Sequence, residues 1–299
     1  MKKIFILVLL MFANVVFAGD FSVYKLENGQ TVVIQEVKTN PIVTVDTWIK
    51  TGSINETDEN NGVSHFLEHL FFKGSTNHAP GEFDKILETK GAITNAATSK
   101  DFTHYYITIP SKDFDLALEM HSDMLLHPLI PRKELEKERK VVIEEIMKDA
   151  NSPNTMAYDN LITMLYTTHP YKRKVIGTAD IISKIQRDKI LEYYNQYYNP
   201  SNMVTIIIGD VDSKSVIEKV KKDFCAEYKK PVKNVFPKEK PLTTQKKNTT
   251  YFDVQTGYML IGFRGTSIDD KDSYALDVLS TILGDGRTSV FYRKIKEDK

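Results

Sequence analysis

The sequence predicts an α+β protein of two related domains, each a mainly antiparallel sheet packed with helices, the second one truncated. Three observations predict it. Alternating runs rich in Val, Thr, Ile and Tyr stand at Phe21 to Glu36, Ile42 to Lys50, Thr103 to Ile109 and Met203 to Ile208, as half-buried strands do. Amphipathic stretches of helical period lie between them, so strands and helices mix along one chain. Finally, Thr47 to Asn55 returns loosely as Leu260 to Asp269, each copy followed by acidic residues and an apolar helix, which marks an internal repeat.

The elements follow in order. Phe21 to Glu36 and Ile42 to Lys50 read as two strands separated by the turn Lys38-Thr39-Asn40-Pro41. Helices are expected at Asn61 to Phe72, at Gly81 to Lys90 and at Phe114 to Leu126, the last closed by His127-Pro128. A long helix from Arg132 to Lys148 opens just after Pro131, where a helix start tolerates proline. Asn151 to Lys189 is mixed, Ile190 to Tyr198 is helical, and the strand at Met203 ends at Gly209-Asp210. The next helix, in Ser215 to Tyr228, carries the single cysteine, Cys225, read as a small buried hydrophobe.

Domain organisation starts with an N-terminal signal. Met1-Lys2-Lys3 precedes an apolar run from Ile4 to Phe17, shorter than the roughly 20 residues of a membrane span. Val16 and Ala18 then supply small residues, so residues 1–18 are expected to be a signal peptide cleaved near Ala18. The chain is therefore expected to be exported from a bacterial cytoplasm, periplasmic or secreted, with no stable membrane span. Residues 19–230 form the first domain. Residues 231–250 bring prolines and lysines without apolar period and read as a linker. Residues 251–299 begin the second, related domain, whose helix Tyr274 to Leu283 has no histidine. One strand and a little more than one helix leave a sheet unfinished, so a fragment is expected.

Composition excludes some partners. With 40 basic and 40 acidic residues the formal charge is zero, which leaves no electrostatic footprint for nucleic acid or an anionic membrane. One cysteine allows no internal disulfide, so the fold relies on its core.

The chemistry concentrates at His65-Phe66-Leu67-Glu68-His69. On a helix, His65 and His69 stand roughly 40° apart around the axis, with Glu68 on the same face. Both imidazoles reach one ion, and this is the inverted zinc motif H-x-x-E-H. Catalytic zinc takes three protein ligands and leaves a position open for water, and a carboxylate beside that water acts as general base. Glu68 is that candidate base. The third ligand is sought among Glu134, Glu136, Glu138, Glu144 and Glu145 on the long helix. Glu138 and Glu145, seven apart, share a face to within roughly 20°, and Val141, Val142 and Ile146 lie on or beside it. Glu144 instead projects with Lys137, Lys140 and Lys148. A carboxylate on an apolar face must be paired or bind a metal, so Glu145 is read as the ligand of one Zn2+ and Glu138 as its supporting or catalytic helper. His78, His104, His121, His127 and His169 lack ligand spacing and read as hydrogen-bonded structural residues. Tyr193, Tyr194, Tyr197 and Tyr198 read as packing.

On these residues the chain resembles the pitrilysin or insulinase-type zinc peptidases, a family that includes the mitochondrial processing peptidase. The specific stretches are Gly62 to Gly74, Gly91 to Tyr105, Glu138 to Ile146, and His169 to Asp212 with Ile176-Gly177-Thr178 and Tyr198-Asn199-Pro200-Ser201-Asn202-Met203. The resemblance implies His65, His69 and Glu145 as zinc ligands, Glu68 as general base and Glu138 as a support of catalysis. It implies that an unfolded peptide or protein precursor binds as an added strand along Asn95-Ala96-Ala97-Thr98, with Asn95 and Ala96 at the substrate. It also implies two halves that close on the peptide, the second supplying an arginine and a tyrosine. Arg287 to Lys296 begins the corresponding helix, but the tyrosine has no counterpart here. A homodimer or a homologous partner subunit would then complete the chamber. The alternatives are a non-catalytic peptide-binding or scaffold homologue and the catalytic half of a two-subunit peptidase.

Overall fold

The structure, a computed structural model, describes residues 21–297. The expected signal peptide, with its cleavage near Ala18, lies outside the described residues. Strands β1 Phe21–Lys25, β2 Thr31–Glu36, β3 Ile42–Ile49, β4 Ile93–Thr98, β5 Thr103–Pro110 and β6 Met203–Gly209 form one sheet in the order β1-β2-β6-β3-β5-β4. Every neighbouring pair is antiparallel except β2 with β6. The single strand expected over Phe21 to Glu36 is thus a hairpin. Asn28-Gly29 makes the turn, with Gly29 at φ +86° and the Leu26 N–H donating to Gln30 O at 2.9 Å. An Asn-Gly pair between alternating runs is a strong hairpin signal.

The helices are α1 Val63–Phe71, α2 Glu82–Thr89, α3 Phe114–Leu126, α4 Arg132–Ala150, α5 Pro153–Leu165, α6 Ala179–Lys184, α7 Arg187–Tyr197, α8 Ser213–Asp223 and α9 Ser273–Gly284. The mixed stretch after Asn151 therefore holds two helices, α5 and α6, each opened by a side-chain cap: Ser152 accepts from Thr155 N and Thr178 from Ile181 N. Helix α8 stops at Asp223, before Cys225, which is exposed rather than buried. The apolar face of α8 is complete with Val216, Ile217, Val220 and Phe224, and the following residue faces solvent. Among the described residues no helix is long and apolar enough to cross a membrane.

The chain divides into two compact units. The first runs to Met147 and resumes over Arg173–Val235, and it contains the whole sheet. Alternate residues on one sheet face are buried, among them Val32, Ile34, Val43, Val45, Ile49, Tyr105, Ile107, Ile109, Met203 and Ile207. Helix α1 packs at β4, α3 over β3 and β5, and α8 against β2. The second unit takes Lys148–Lys172 and the chain from Phe236 on. There, the strand expected near Leu260 does not form: among the described residues no strand or helix lies between Asp223 and Ser273. A strand is stabilised by its ladder partner, and residues 251–267 have none among the described residues. The helix expected at Tyr274 forms as α9, and Tyr292–Glu297 is a π-helical turn.

A polar knot sits inside the apolar core. The Gln30 Nε2 donates to Thr205 Oγ1 at 2.9 Å, Thr205 and Thr47 hydroxyls are 2.8 Å apart, and His121 Nε2 lies 3.0 Å from Thr47 Oγ1. Burial drives the His121 pKa down to about 3 from an ordinary 6.5. Its folded form binds fewer protons than the unfolded form between those values, so stability is full above pH 6.5 and falls as pH drops through the window. The expected slope is about 1.4 kcal/mol per pH unit from this group; urea midpoints measured against pH should show it, and His121→Gln should flatten it.

A second expectation concerns the packing under α1. Gly177 has φ +79°, and a Cβ there would stand 2.4 Å from Asn61 O and 2.7 Å from Gly62 Cα. Gly177→Ala is expected to cost at least about 1–3 kcal/mol in strain, read as a lower denaturation midpoint; an unchanged midpoint would contradict this close contact.

Candidate metal centre

Helix α1 forms because Val63, Phe66, Leu67, Leu70 and Phe71 recur at helical spacing, and all are buried. The remaining face carries His65, Glu68 and His69, each partly exposed. Gly62 offers no capping side chain, so the first turn is met from elsewhere. Glu56, 4% exposed, accepts from Gly62 N at 2.8 Å, Ser64 N at 2.9 Å and Asn61 Nδ2 at 2.7 Å. Burial raises its pKa against the pull of these donors, and a carboxylate at a helix N-terminus is favoured by the dipole. From α7, the Tyr193 hydroxyl lies 2.8 Å from both Ser64 Oγ and Thr51 Oγ1. It also donates to Gly52 O at 3.2 Å. These contacts tie the start of α1 to the end of β3.

Helix α4 brings the acidic side. Arg139 stacks 5.6 Å above the Phe66 ring of α1 and donates to the carbonyls of Ile182 and Ile185 at the end of α6, which ties α4 to both helices. Glu138 is 9% exposed, and Glu144 points to solvent. Val141, placed by the sequence on or beside the apolar face, is itself exposed.

Glu145 Oε2 lies 3.7 Å from His65 Nε2 and 3.5 Å from His69 Nε2. One ligand atom from each of the three residues falls within 4.8 Å of the others. Glu138 Oε2 is 3.2 Å from His69 Nδ1, and Lys73 Nζ is 3.1 Å from Glu138 Oε1. The Thr98 hydroxyl on β4 donates to Glu68 Oε2. Burial raises the Glu68 pKa, while the Thr98 hydrogen bond and His69 lower it. Burial, then the neighbouring His69, lowers the His65 pKa to about 4, so this imidazole is neutral and free to donate a lone pair at physiological pH.

The residues fit a zinc ion by two tests. Two imidazoles and a carboxylate are the donor set of catalytic zinc. Glu145 Oε2 is also shut off from solvent without a hydrogen-bond partner, a costly state for a charged oxygen that a cation would relieve.

Asn95 and Ala96 both lie on β4, Asn95 exposed and Ala96 half-buried. The Ser99 N–H donates to Phe102 O at 2.7 Å, so alternate pairs from there are the hydrogen-bonded ones. The backbone groups of Thr94, Ala96 and Thr98 consequently point away from β5, to the sheet edge. At that edge the Ala96 N–H is met by the Asn95 side chain at 2.9 Å. Four other histidines are structural: His78 faces Glu119, His104 faces Asp46, His121 faces Thr47, and His169 accepts from Tyr171 N. His127 is instead exposed just past α3. Sequence reasoning gives no role to Glu56 or Lys73, reads Tyr193 as packing, and places Thr98 on the bordering strand without its bond to Glu68. Lys73, four residues after His69 in the motif's own run, carried a spacing signal; the other three act through tertiary contacts that no spacing announces.

A mainly antiparallel sheet with an inverted His-x-x-Glu-His helix against a two-carboxylate helix defines a metallopeptidase-like domain. The sequence model described as Insulinase (Peptidase family M16) matches residues 31–179, and that of the Peptidase M16 inactive domain matches residues 184–299. The chain belongs to the M16, insulinase-type peptidase family. It is 33% identical over 276 residues to an uncharacterized zinc protease, YmxG, of Bacillus subtilis, covering 92% of this chain and 67% of that protein. It is 33% identical over 280 residues to the zinc protease PqqE of Helicobacter pylori, covering 92% and 63%. A solved structure of a protease from Helicobacter pylori superposes with TM-score 0.76 at 30% identity, over 93% of this chain and 68% of that one. The M16 inactive domain from Pseudomonas fluorescens superposes with TM-score 0.80 at 18% identity, over 94% and 68%; this likeness shows the fold. The chain thus spans 67%, 63% and 61% of the first three curated relatives' lengths.

The side chains themselves set a direct expectation. Zinc at a hundredfold excess over its Kd should stabilise the chain by about 2.7 kcal/mol, read as a higher Tm. Glu145→Ala should lose this shift and Glu144→Ala should keep it; the reverse would misplace the third ligand.

Proposed function

We propose that the chain is the zinc-holding part of an endopeptidase that hydrolyses unfolded peptides or protein precursors. The observation that carries this is the convergence of His65, His69 and Glu145 beside Glu68, which is itself tied through Thr98 to the edge strand β4. Relatives named zinc proteases support the same reading.

His65, His69 and Glu145 would hold one zinc ion per chain. Such an ion supplies Lewis acidity, polarising a carbonyl and lowering the pKa of water to about 7. Glu68 takes the proton of the attacking water and gives it to the departing amide nitrogen. Its raised pKa suits both halves of that exchange, because a base must also become an acid. The Thr98 hydroxyl holds Oε2 and so fixes the carboxylate's orientation. Along β4 the outward backbone groups of Thr94, Ala96 and Thr98 offer a substrate the ladder of an added strand, a mode that reads backbone more than sequence. Asn95 must then release the Ala96 N–H for the peptide. The pattern at Met1 to Ala18 supports work outside the cytoplasm.

The match of residues 184–299 to a domain described as inactive favours a two-part arrangement. The metal-holding part would work with a homologous second half, from the same protein, from a homodimer or from a separate subunit.

Glu68→Gln tests the proposal. The variant should retain zinc while cleavage of an unfolded, quenched-fluorophore peptide falls by at least about 100-fold, the scale of general-base catalysis. Cleavage at the wild-type rate would contradict the role of Glu68.

A further inference from the structure

The two imidazoles of α1 are held unequally. His65 Nδ1 is buried without a hydrogen-bond partner, whereas His69 Nδ1 faces Glu138 Oε2 at 3.2 Å. A histidine that ligates through Nε2 carries its proton on Nδ1, and a carboxylate accepting that proton sets the ring's tautomer and orientation. Glu138 therefore orients His69, provided that its own carboxylate is held in place. Its side chain is 12% exposed, and its second oxygen, Oε1, meets Lys73 Nζ at 3.1 Å.

Lys73 follows the C-cap Phe72 of α1, and its N–H donates to Leu70 O at 3.1 Å. Its backbone is thus anchored to the helix that bears the histidines, while its ammonium reaches across to α4. A mostly buried carboxylate with only one of its oxygens met is costly, and Glu145 stands at the other nitrogen of the same His69 ring. With its ammonium removed, Glu138 loses the contact that holds Oε1 and is free to turn away from His69.

We infer that Lys73 is a positioning residue of the metal centre, which clamps Glu138 from behind so that Glu138 holds His69 at the angle the ion requires. The inference rests on the zinc reading above. Lys73 Nζ meets Glu138 Oε1, and its action passes through Glu138 and then the His69 ring.

The test is zinc affinity of the full chain, by competition with a chromophoric chelator, alongside the Tm of the metal-free protein. Removal of a group supporting a ligand typically weakens metal binding by about 10–100-fold. Lys73→Met should show such a loss together with a modestly lower metal-free Tm, because the mostly buried Glu138 loses its ion pair, and Lys73→Arg should restore most of the affinity. Where peptide cleavage is measured, kcat should fall with KM little changed. Wild-type affinity in Lys73→Met, or an equal loss in Lys73→Arg, overturns the inference while the zinc reading stands. A lowered metal-free Tm with unchanged affinity assigns Lys73 a purely structural role and also overturns it. A wild-type chain that takes up no zinc overturns the reading and the inference together.

Discussion

A carboxylate withdrawn from water has to be met by donors or by a cation, and the site is arranged around that cost. Glu56 is met by three N–H groups at the start of α1. Glu138 is met by His69 and Lys73. Glu145 turns one oxygen into a pocket with two imidazoles and no donor. The first two fix the geometry of the helix and of one histidine, and the third is placed where it is compatible with an ion. Were α4 rotated by one residue, Glu144 would face α1 and the buried seam of Leu135, Glu138 and Val142 would be lost with it.

The sheet serves this arrangement by placing two ends near each other. The end of β3 receives Tyr193 and the start of α1, and the end of β4 presents Thr98 to Glu68. Because β4 is an edge strand of the sheet, Glu68 stands beside a line of backbone whose outward groups have no strand partner among the described residues. Gly62 and Gly177 let two loops approach closely below the helix, and that packing gives α1 a fixed starting point.

Much of this was legible in the sequence. Helical spacing alone brought His65, Glu68 and His69 to one face and separated Glu145 from Glu144, because amphipathic period is a local property that survives folding. What stayed hidden was what depends on distance in the chain. Glu56 and Thr98 are invisible to spacing, since their partners are chosen by the sheet and its turns. The Asn28-Gly29 hairpin reads as one strand in sequence because β-forming residues flank it closely on both sides, although Lys25, Glu27 and the Asn-Gly pair mark the turn. Cys225 was expected inside a helix that ends two residues earlier, a boundary set by Phe224 completing the buried face. Near Leu260 a β-like pattern forms no strand, since pairing is supplied by a neighbour and not by the pattern.

The central claim is that His65, His69 and Glu145 together hold zinc. X-ray absorption at the zinc edge of the purified, zinc-loaded chain measures this most directly. The account predicts a low-coordinate site of two imidazole nitrogens at about 2.0–2.1 Å with oxygen at about 2.0–2.2 Å, losing one imidazole shell in His69→Ala. A sulfur shell near 2.3 Å, or an all-oxygen shell indifferent to that substitution, would contradict it.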